Sequence, residues 1–370
     1  MERYIRPYQD VKEKLIDRAR QGRNPLDHVD REDALQVLDQ VTSVEDEPWA
    51  RTWMAAALPY EERARAAHER GDIEAARDAY MLAYGYYRVA RYPCPNSPSK
   101  RSAYGKSQES YLKAGQYMQP PVERVEMPFH GRPGEGQVSV GLLRRPASAH
   151  QLPIVVSWGG IDSFKEERRL DPFLERGFAA LAIDMPGVGD APLAGSEDAE
   201  RLWDAVLDWI AEQPYLDADR VVLWGGSTGG YWAAKVAHTH RERVAAVVEQ
   251  GGAVHYAFTS EWIERAQHGE YPFQLAETLA CAFGGTSFDY WVEQARKLSL
   301  LDMGVLDEPC APMLCINGIH DSVFPIADQY VLLEHGSPKS ARFYHTEHMG
   351  VTPRTTPDII GWVEATLRLG

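Results

Sequence analysis

A serine flanked by glycines stands between a short apolar stretch and an alanine-rich stretch. The letters GGSTG at 225–229 follow the apolar residues 221–224 and open a predicted helix over 229–240. The pattern G-x-S-x-G on a sharp strand-to-helix turn is typical of a nucleophile, because the flanking glycines leave room for the turn. Such a turn exposes the hydroxyl of Ser227 and directs the backbone N–H of Thr228 towards a developing oxyanion. The alternative is a glycine-rich turn whose serine faces solvent.

A serine hydroxyl is a weak nucleophile that needs a base, and the base needs an acid to orient it. On a strand–turn–helix framework of this kind the chain order is serine, acid, histidine. Asp321 follows the apolar residues 313–316, and His348 lies in the loop after the last predicted strand, 341–344. We therefore expect Ser227, Asp321 and His348 to form a catalytic triad.

Other residues compete for the acid and base positions. Glu249 directly follows the apolar stretch 245–248, which is the other position from which a triad acid can come. The alternative is that Glu249 is a carboxylate in or behind the substrate pocket. His345 adjoins a strand end and is interpreted as structural. His320 and His335 are interpreted as surface or capping residues.

A second oxyanion donor is expected in the loop WGGID at 158–162. This loop follows the predicted strand 154–157, and its glycines let the backbone approach a substrate carbonyl. The backbone N–H of Ile161 is the predicted donor.

These residues need a scaffold of strands whose ends meet at one edge. Short apolar runs alternate with helical stretches over about 250 residues, which predicts an α/β fold with a mostly parallel sheet and helices on both faces. The predicted strands are 138–143, 154–157, 179–183, 221–224, 245–248, 313–316 and 341–344, and the predicted helices are 167–176, 197–213, 229–240, 325–335 and 357–368.

The first third of the chain has a different pattern. Residues 61–92 predict a helical hairpin broken at Gly71-Asp72, and a third helix is predicted near 101–118. The prolines at 120–121 mark a boundary. We expect a helical N-terminal cap domain over 1–118, which covers the pocket, and a catalytic domain over 119–370 with a helical insert near 258–305.

The composition of the 370 residues disfavours several partners. The net charge is −15, and residues 1–120 contribute none of it. An acidic surface repels phosphate backbones and anionic lipid, so neither nucleic acid nor membrane is expected as a partner. The first residues lack the apolar centre of a secretion signal, and no apolar run approaches the roughly 20 residues of a membrane helix, so a cytoplasmic location is expected. Cysteine spacing and glycine patterns predict no metal and no cofactor.

Four stretches carry a family resemblance: WGGSTGGYWAAKVAHTHRERV, HGEYPFQLAETLA, INGIHDSVFPI and LLEHGSPKSARFYHTEHMG. With them, residues 120–370 resemble an α/β-hydrolase. The whole chain is similar to the polyketide-shortening hydrolases of fungal pigment (melanin) biosynthesis and, more loosely, to dihydroxypseudooxynicotine hydrolase. The family motif assigns the nucleophile, acid and base to Ser227, Asp321 and His348. The sequence departs from the pigment enzymes at Gly226, where they carry a larger apolar residue, and at Thr228, where they carry alanine.

The resemblance implies hydrolysis of a carbon–carbon bond next to a ketone, in an aromatic or β-dicarbonyl polyketide-like substrate. It also implies a homodimer. The same triad suits an esterase, a lactonase or an acyl transferase, and a third hypothesis is a ligand-binding protein that keeps the fold without turnover. Candidate pocket carboxylates, which would hydrogen-bond substrate hydroxyls or activate water, are Glu249 and Glu261. Candidate aromatic residues, for each of which ordinary packing is the alternative, are Tyr256, Trp262, Phe258, Tyr271 and Phe273, with Tyr84, Tyr86 and Tyr87 in the cap.

Overall fold

Eight strands of the described residues form one sheet. The structure is a computed structural model that describes residues 4–147 and 151–368. The strands lie in the order β1-β2-β4-β3-β5-β6-β7-β8. Their bounds are β1 Glu123–Pro128, β2 Val138–Arg144, β3 Leu152–Trp158, β4 Ala179–Ile183, β5 Leu216–Gly226, β6 Ala246–Gln250, β7 Met313–Gly318 and β8 Lys339–Tyr344. Strand β2 pairs with β4 antiparallel, and the pairs from β4 through β3 to β8 are parallel. The mostly parallel sheet predicted from the sequence is confirmed.

Thirteen helices of the described residues accompany the sheet. Their bounds are α1 Tyr8–Gln21, α2 Arg31–Gln40, α3 Asp46–Glu69, α4 Ile73–Arg91, α5 Pro98–Gly115, α6 Asp171–Leu174, α7 Leu202–Glu212, α8 Thr228–Thr239, α9 Ser260–Ala266, α10 Leu275–Ala282, α11 Phe288–Ala295, α12 Ile326–Glu334 and α13 Thr355–Leu367. Among the described helices, none has the length and apolar character needed to cross a membrane.

The chain divides into two compact units. The helical unit comprises the chain up to Glu123 together with Pro272–Gln274, and the sheet unit comprises Arg124–Tyr271 and Leu275–Gly370. A short piece of the segment between β6 and β7 therefore packs as part of the helical unit.

Aromatic side chains fill the core of the helical unit. Trp49 and Trp53 are fully buried, and the ring of Phe273 lies 5.5 Å from Trp49 and 5.4 Å from Tyr92, centroid to centroid. Helices α3 and α4 are joined at Gly71, whose φ of +73° is a left-handed conformation that glycine adopts without strain. The next residue, Asp72, caps α4 by accepting a hydrogen bond from the Ala75 N–H.

In the sheet unit, buried strands carry nearly unbroken apolar runs. Every residue of β4, β6 and β7 is buried, as expected for a parallel sheet covered on both faces. The strand order reverses at β3, since β4 lies on one side of it and β5 on the other. Crevices for ligands form at such a reversal, outside the carboxyl ends of the strands. The serine turn after β5 and the glycine loop after β3 both lie at this point.

Candidate active site

Ser227 occupies a strained turn between β5 and α8. Its backbone has φ 57° and ψ −130°, a conformation that costs a non-glycine residue about 1–3 kcal/mol. Two hydrogen bonds hold it: its N–H donates to the Gln250 carbonyl at 2.8 Å, and its carbonyl accepts from the Gly230 N–H at 2.7 Å. A Cβ at Gly225 would overlap the carbonyl oxygen of Gly229, so the turn needs glycine there. The hydroxyl is therefore presented at the carboxyl edge of the sheet.

His348 joins the serine to an acid. Its Nε2 lies 2.8 Å from Ser227 Oγ, and its Nδ1 lies 2.8 Å from Asp321 Oδ2. With the proton on Nδ1, the ring donates to the carboxylate, and Nε2 is free to accept the serine proton. Of the histidines considered from the sequence, His348 is the one that the structure brings to Ser227.

Asp321 is held by donors from its own loop and from β7. Its Oδ1 accepts the N–H groups of Val323 at 2.7 Å and Phe324 at 2.9 Å, and its Oδ2 accepts the side-chain amide of Asn317 at 2.8 Å. These bonds fix the plane of the carboxylate towards His348.

The electrostatics around His348 favour its protonated form. Burial alone lowers the pKa of His348, but the charge and hydrogen bond of Asp321, with the charges of Glu270 and Asp162, raise it above its usual value of 6.5. A base with a pKa near the working pH is effective in general acid–base catalysis.

The glycine loop after β3 reaches the serine. A Cβ at Gly160 would lie 2.8 Å from the Ser227 Cβ, 3.0 Å from its Oγ and 3.2 Å from the Thr228 backbone nitrogen. Only a residue without a side chain leaves room there for a substrate carbonyl beside Oγ. The predicted oxyanion donors, Thr228 and Ile161, are both buried. Thr228 follows Ser227 at the start of α8, and Ile161 follows Gly160 in the loop after β3.

Three supporting side chains were not identified from the sequence. Asn317, besides donating to Asp321, accepts the Met349 N–H at 2.9 Å. Gln250 donates to the Met349 carbonyl at 2.9 Å, and Glu270 accepts the His348 N–H at 3.1 Å. Asn317 stands out as a polar residue at the end of an apolar strand, a pattern that predicts a site residue. Glu270 lies in no such pattern.

Gly226 and Met349 fit one another. A Cβ at Gly226 would lie 2.8 Å from the Met349 Cε, so the methionine side chain fills the space beside Gly226, next to the nucleophile. Met349 itself has φ +66°. The shape of the site next to Ser227 therefore comes from the histidine loop in this protein.

The pocket candidates differ in their surroundings. The Trp262 indole N–H donates to the Val323 carbonyl at 2.9 Å, which places it against the loop of Asp321. Glu261 is exposed and Tyr256 is 46% exposed, while Glu249 is fully buried on β6. Phe324, which was not a candidate, has its ring 5.6 Å from that of His348.

Several other candidates have partners of their own, on the surface of the sheet unit or in the core of the helical unit. His345 and His320 face each other with their Nε2 atoms 3.1 Å apart, and the triad does not include them. In the helical unit, Tyr84, Tyr86 and Tyr87 are all buried; Tyr86 stacks on Tyr60 at 4.9 Å. Among the described residues, no group of three or more His, Cys, Asp or Glu side chains converges in a way that would hold a metal ion.

Comparison with known proteins gives a consistent family. Residues 19–367 match the family described as Esterase FrsA-like. Esterase FrsA of Photobacterium profundum is 28% identical over 297 residues, which cover 78% of this chain and 69% of that protein. Alpha/beta hydrolase ucsC of Acremonium sp is 31% identical over 247 residues, which cover 59% of this chain and 50% of that protein.

A solved structure has the same fold over nearly the whole chain. The crystal structure of 2,6-dihydroxy-pseudo-oxynicotine hydrolase superposes with a TM-score of 0.72 at 23% identity and covers 94% of this chain and 95% of that one. The α/β-hydrolase fold predicted from the sequence is thereby confirmed.

Proposed function

The chain belongs to the FrsA-like esterase family of α/β-hydrolases, and we propose that Ser227, His348 and Asp321 are its catalytic triad. The observation that carries this proposal is the unbroken relay of hydrogen bonds from Asp321 through His348 to Ser227, each 2.8 Å long. A nucleophile, a base within hydrogen-bond reach and an acid that orients the base are the parts that acyl transfer requires.

In the first step, His348 Nε2 takes the proton of Ser227 as Oγ attacks a substrate carbonyl carbon. The carbonyl oxygen becomes an oxyanion, for which we propose the backbone N–H groups of Thr228 and Ile161 as donors. Their position is consistent with the open space that Gly160 leaves beside Oγ. Asp321 stabilises the imidazolium that forms and keeps its proton at Nδ1.

We propose that the bond broken is a carbon–carbon bond next to a ketone. The tetrahedral intermediate collapses, the carbonyl reforms, and the electron pair of the breaking bond moves into the leaving carbon, where an enolate or a phenolic ring delocalises it. His348 returns the proton to that carbon. Water, deprotonated by the same histidine, then attacks the acyl group on Ser227 and releases a carboxylic acid. No cofactor takes part in this sequence.

Two observations support a flat, uncharged substrate. Aromatic side chains stand beside the triad, since Phe324 contacts the His348 ring and Trp262 is tied to the loop of Asp321. The net charge of −15 disfavours a strongly anionic ligand. An aromatic or β-dicarbonyl polyketide-like molecule has both properties, and the sequence stretches similar to the polyketide-shortening hydrolases agree with it.

Hydrolysis of an ester or lactone, or acyl transfer from one, is the second candidate. The family name Esterase FrsA-like favours it, and the acyl-enzyme on Ser227 is the same. The two candidates differ only in whether the leaving atom is carbon or oxygen.

A substrate that carries both bonds decides between them. Incubation of the full chain with an aryl β-diketone ester, followed by mass spectrometry, is expected to give the two fragments of carbon–carbon cleavage with the ester intact. Release of the alcohol alone would contradict carbon–carbon hydrolysis and favour the esterase.

The Ser227→Ala variant tests the triad itself. We expect it to lower product formation by about 10³-fold or more and to abolish labelling by a fluorophosphonate, because the covalent step is lost. The wild-type chain taking no label would refute the triad, whichever bond is cleaved.

A further inference from the structure

Glu249 is a buried carboxyl group that the proposed mechanism does not use. It lies on β6, opposite Gly225 of β5 and Cys315 of β7, and it has no exposed surface. The triad acid is Asp321, so the role of Glu249 has to be sought in its own contacts.

Only one of the two carboxyl oxygens of Glu249 has hydrogen-bond partners among the described residues. Its Oε1 accepts from the Gly252 N–H and from the side-chain amide of Gln329, the latter at 3.1 Å. Its Oε2 has no partner among the described residues, and neither has the side-chain oxygen of Gln329. Two buried acceptors on adjoining side chains thus lack a donor. A proton on Oε2 supplies that donor, because a neutral carboxylic acid and an amide pair by exchanging one N–H···O and one O–H···O bond.

The charges that face Glu249 are mostly negative. The carboxylates of Asp328 on α12 and Asp321 in the loop after β7 act on Glu249, Cys315 on β7 is a neighbouring thiol, and Lys339 on β8 is a cation that interacts with Glu249. Burial raises the pKa of Glu249 to about 8; the bonds from Gly252 and Gln329 oppose this shift, and the two carboxylates add to it.

Glu249 adjoins the structure that presents the nucleophile. A Cβ at Gly230, in the first turn of α8, would lie 2.9 Å from Glu249 Oε1 and 2.8 Å from the backbone of Gly252. The neighbouring residue, Gln250, accepts the Ser227 N–H. The N-terminus of a helix carries a positive potential from its free N–H groups, which stabilises an anion. A second anion nearby reduces that stabilisation. A charge on Glu249 would therefore compete with an oxyanion bound at the Thr228 N–H.

We propose that Glu249 is a positioning residue that works as a neutral carboxylic acid behind the nucleophile turn, paired with Gln329 and Gly252. Its ionisation at alkaline pH places a negative charge against the first turn of α8 and lowers the reactivity of Ser227. This inference rests on the proposed triad, since it concerns the reactivity of that serine.

The test uses the rate of Ser227 labelling by a fluorophosphonate as a function of pH. In the wild-type chain we expect the rate to fall between pH 7 and pH 10. In Glu249→Gln, whose amide is always neutral and donates to Gln329 in the same way, the ratio of the rate at pH 10 to that at pH 7 is expected to rise several-fold. The matched control is Cys315→Ala, which removes the thiol on the neighbouring strand and is expected to keep the fall. An alkaline fall that persists in Glu249→Gln would overturn the proposal.

Infrared spectroscopy gives a readout that does not depend on reactivity. The wild-type chain at pH 7 is expected to show the carbonyl band of a neutral carboxylic acid that Glu249→Gln lacks, and the band is expected to disappear in step with the labelling rate. Absence of this band would overturn the proposal even in a chain that takes no label, whereas a band without labelling would refute the triad and leave the protonation of Glu249 standing. If Glu249→Gln does not fold, the pH at which the carbonyl band disappears is compared with the pH at which the labelling rate falls, in wild type and in Cys315→Ala. Different pH values for the two changes would overturn the proposal.

Discussion

The helical unit and the sheet unit differ in which candidate residues turn out to pack in a core and which come together at a site. In the helical unit, tyrosines that the sequence offers as ligand contacts pack against other aromatic rings, as Tyr84 does with Tyr111 at 5.2 Å. In the sheet unit, polar residues at strand ends come together from distant parts of the chain, and 121 positions separate Ser227 from His348. An aromatic side chain on a helix is therefore a better predictor of core packing than of function. A polar side chain at the end of a buried parallel strand is a good predictor of a site.

Two glycines, one in each unit, give the largest expected contrast. In Gly160→Ala the new Cβ lies 2.8 Å from the Ser227 Cβ, so we expect about 10²-fold slower fluorophosphonate labelling, comparable to loss of an oxyanion donor, with little change in melting temperature. In Gly85→Ala the new Cβ overlaps the carbonyl oxygen of His28, so we expect a loss of about 1–3 kcal/mol in the free energy of unfolding of the helical unit.

Gly105→Ala is the control for both glycine variants. It lies in α5 of the helical unit with nothing within 4 Å of the added Cβ, and alanine there is expected to be neutral or stabilising by about 0.4–1 kcal/mol. Labelling kinetics and thermal unfolding are measured for all three. Equal loss of labelling in Gly160→Ala and Gly85→Ala would contradict the division of roles between the units.

Two asparagines, buried Asn317 in the sheet unit and half-buried Asn24 in the helical unit, give an intermediate effect. Asn317→Ala removes the donor to Asp321 and the acceptor for the Met349 N–H, and we expect about ten-fold slower labelling, since a lost hydrogen bond to a charged group is worth about 1.5–3 kcal/mol. Its counterpart is Asn24→Ala, which removes the oxygen that accepts from Arg88 at 2.9 Å. That variant is expected to lower the melting temperature and leave the labelling rate unchanged. A normal rate in Asn317→Ala would show that Asp321 needs no support from β7.

The smallest effect concerns the acid limb of the pH profile. In the proposed mechanism the serine is activated only by neutral His348, so labelling is lost as the pH falls through the raised pKa of that histidine. Glu270→Gln removes one of the charges that raise this pKa but keeps an oxygen for the His348 N–H. We expect the midpoint of the acid limb to move to lower pH by a few tenths of a unit.

Glu61→Gln is the matched control in the helical unit. Glu61 accepts a hydrogen bond from Tyr87 and pairs with Lys106 at 3.3 Å, and its removal is expected to leave the acid limb in place. A shift to higher pH in Glu270→Gln would mean that Glu270 acts on His348 by some means other than its charge.

Much of the sheet follows from hydrophobic patterning, and the exceptions have physical reasons. Residues 179–183 and 313–316 are predicted as strands because they are short apolar runs, and they lie in β4 and β7, all of whose residues are buried. Strand β1 was missed because only Val125 and Met127 of its six residues are buried, so it carries no apolar run. The predicted helix at 167–176 is reduced to α6, Asp171–Leu174, and Gly177, with φ +80°, lies three residues beyond its end.

By itself the sequence predicted the residues of the proposed triad and the edge of the sheet at which they lie. The letters GGSTG after an apolar run, the aspartate after 313–316 and the histidines after 341–344 put nucleophile, acid and base at the same edge of a parallel sheet, because the carboxyl ends of parallel strands meet there. The tertiary structure alone decided that Asn317, Gln250 and Glu270 hold the loops of the proposed triad, and that Glu249 is buried with one oxygen unpaired. Hydrogen bonds form or fail over a few tenths of an ångström, and separations of that size between loops distant in the chain are set by packing, which residue types and spacing do not specify.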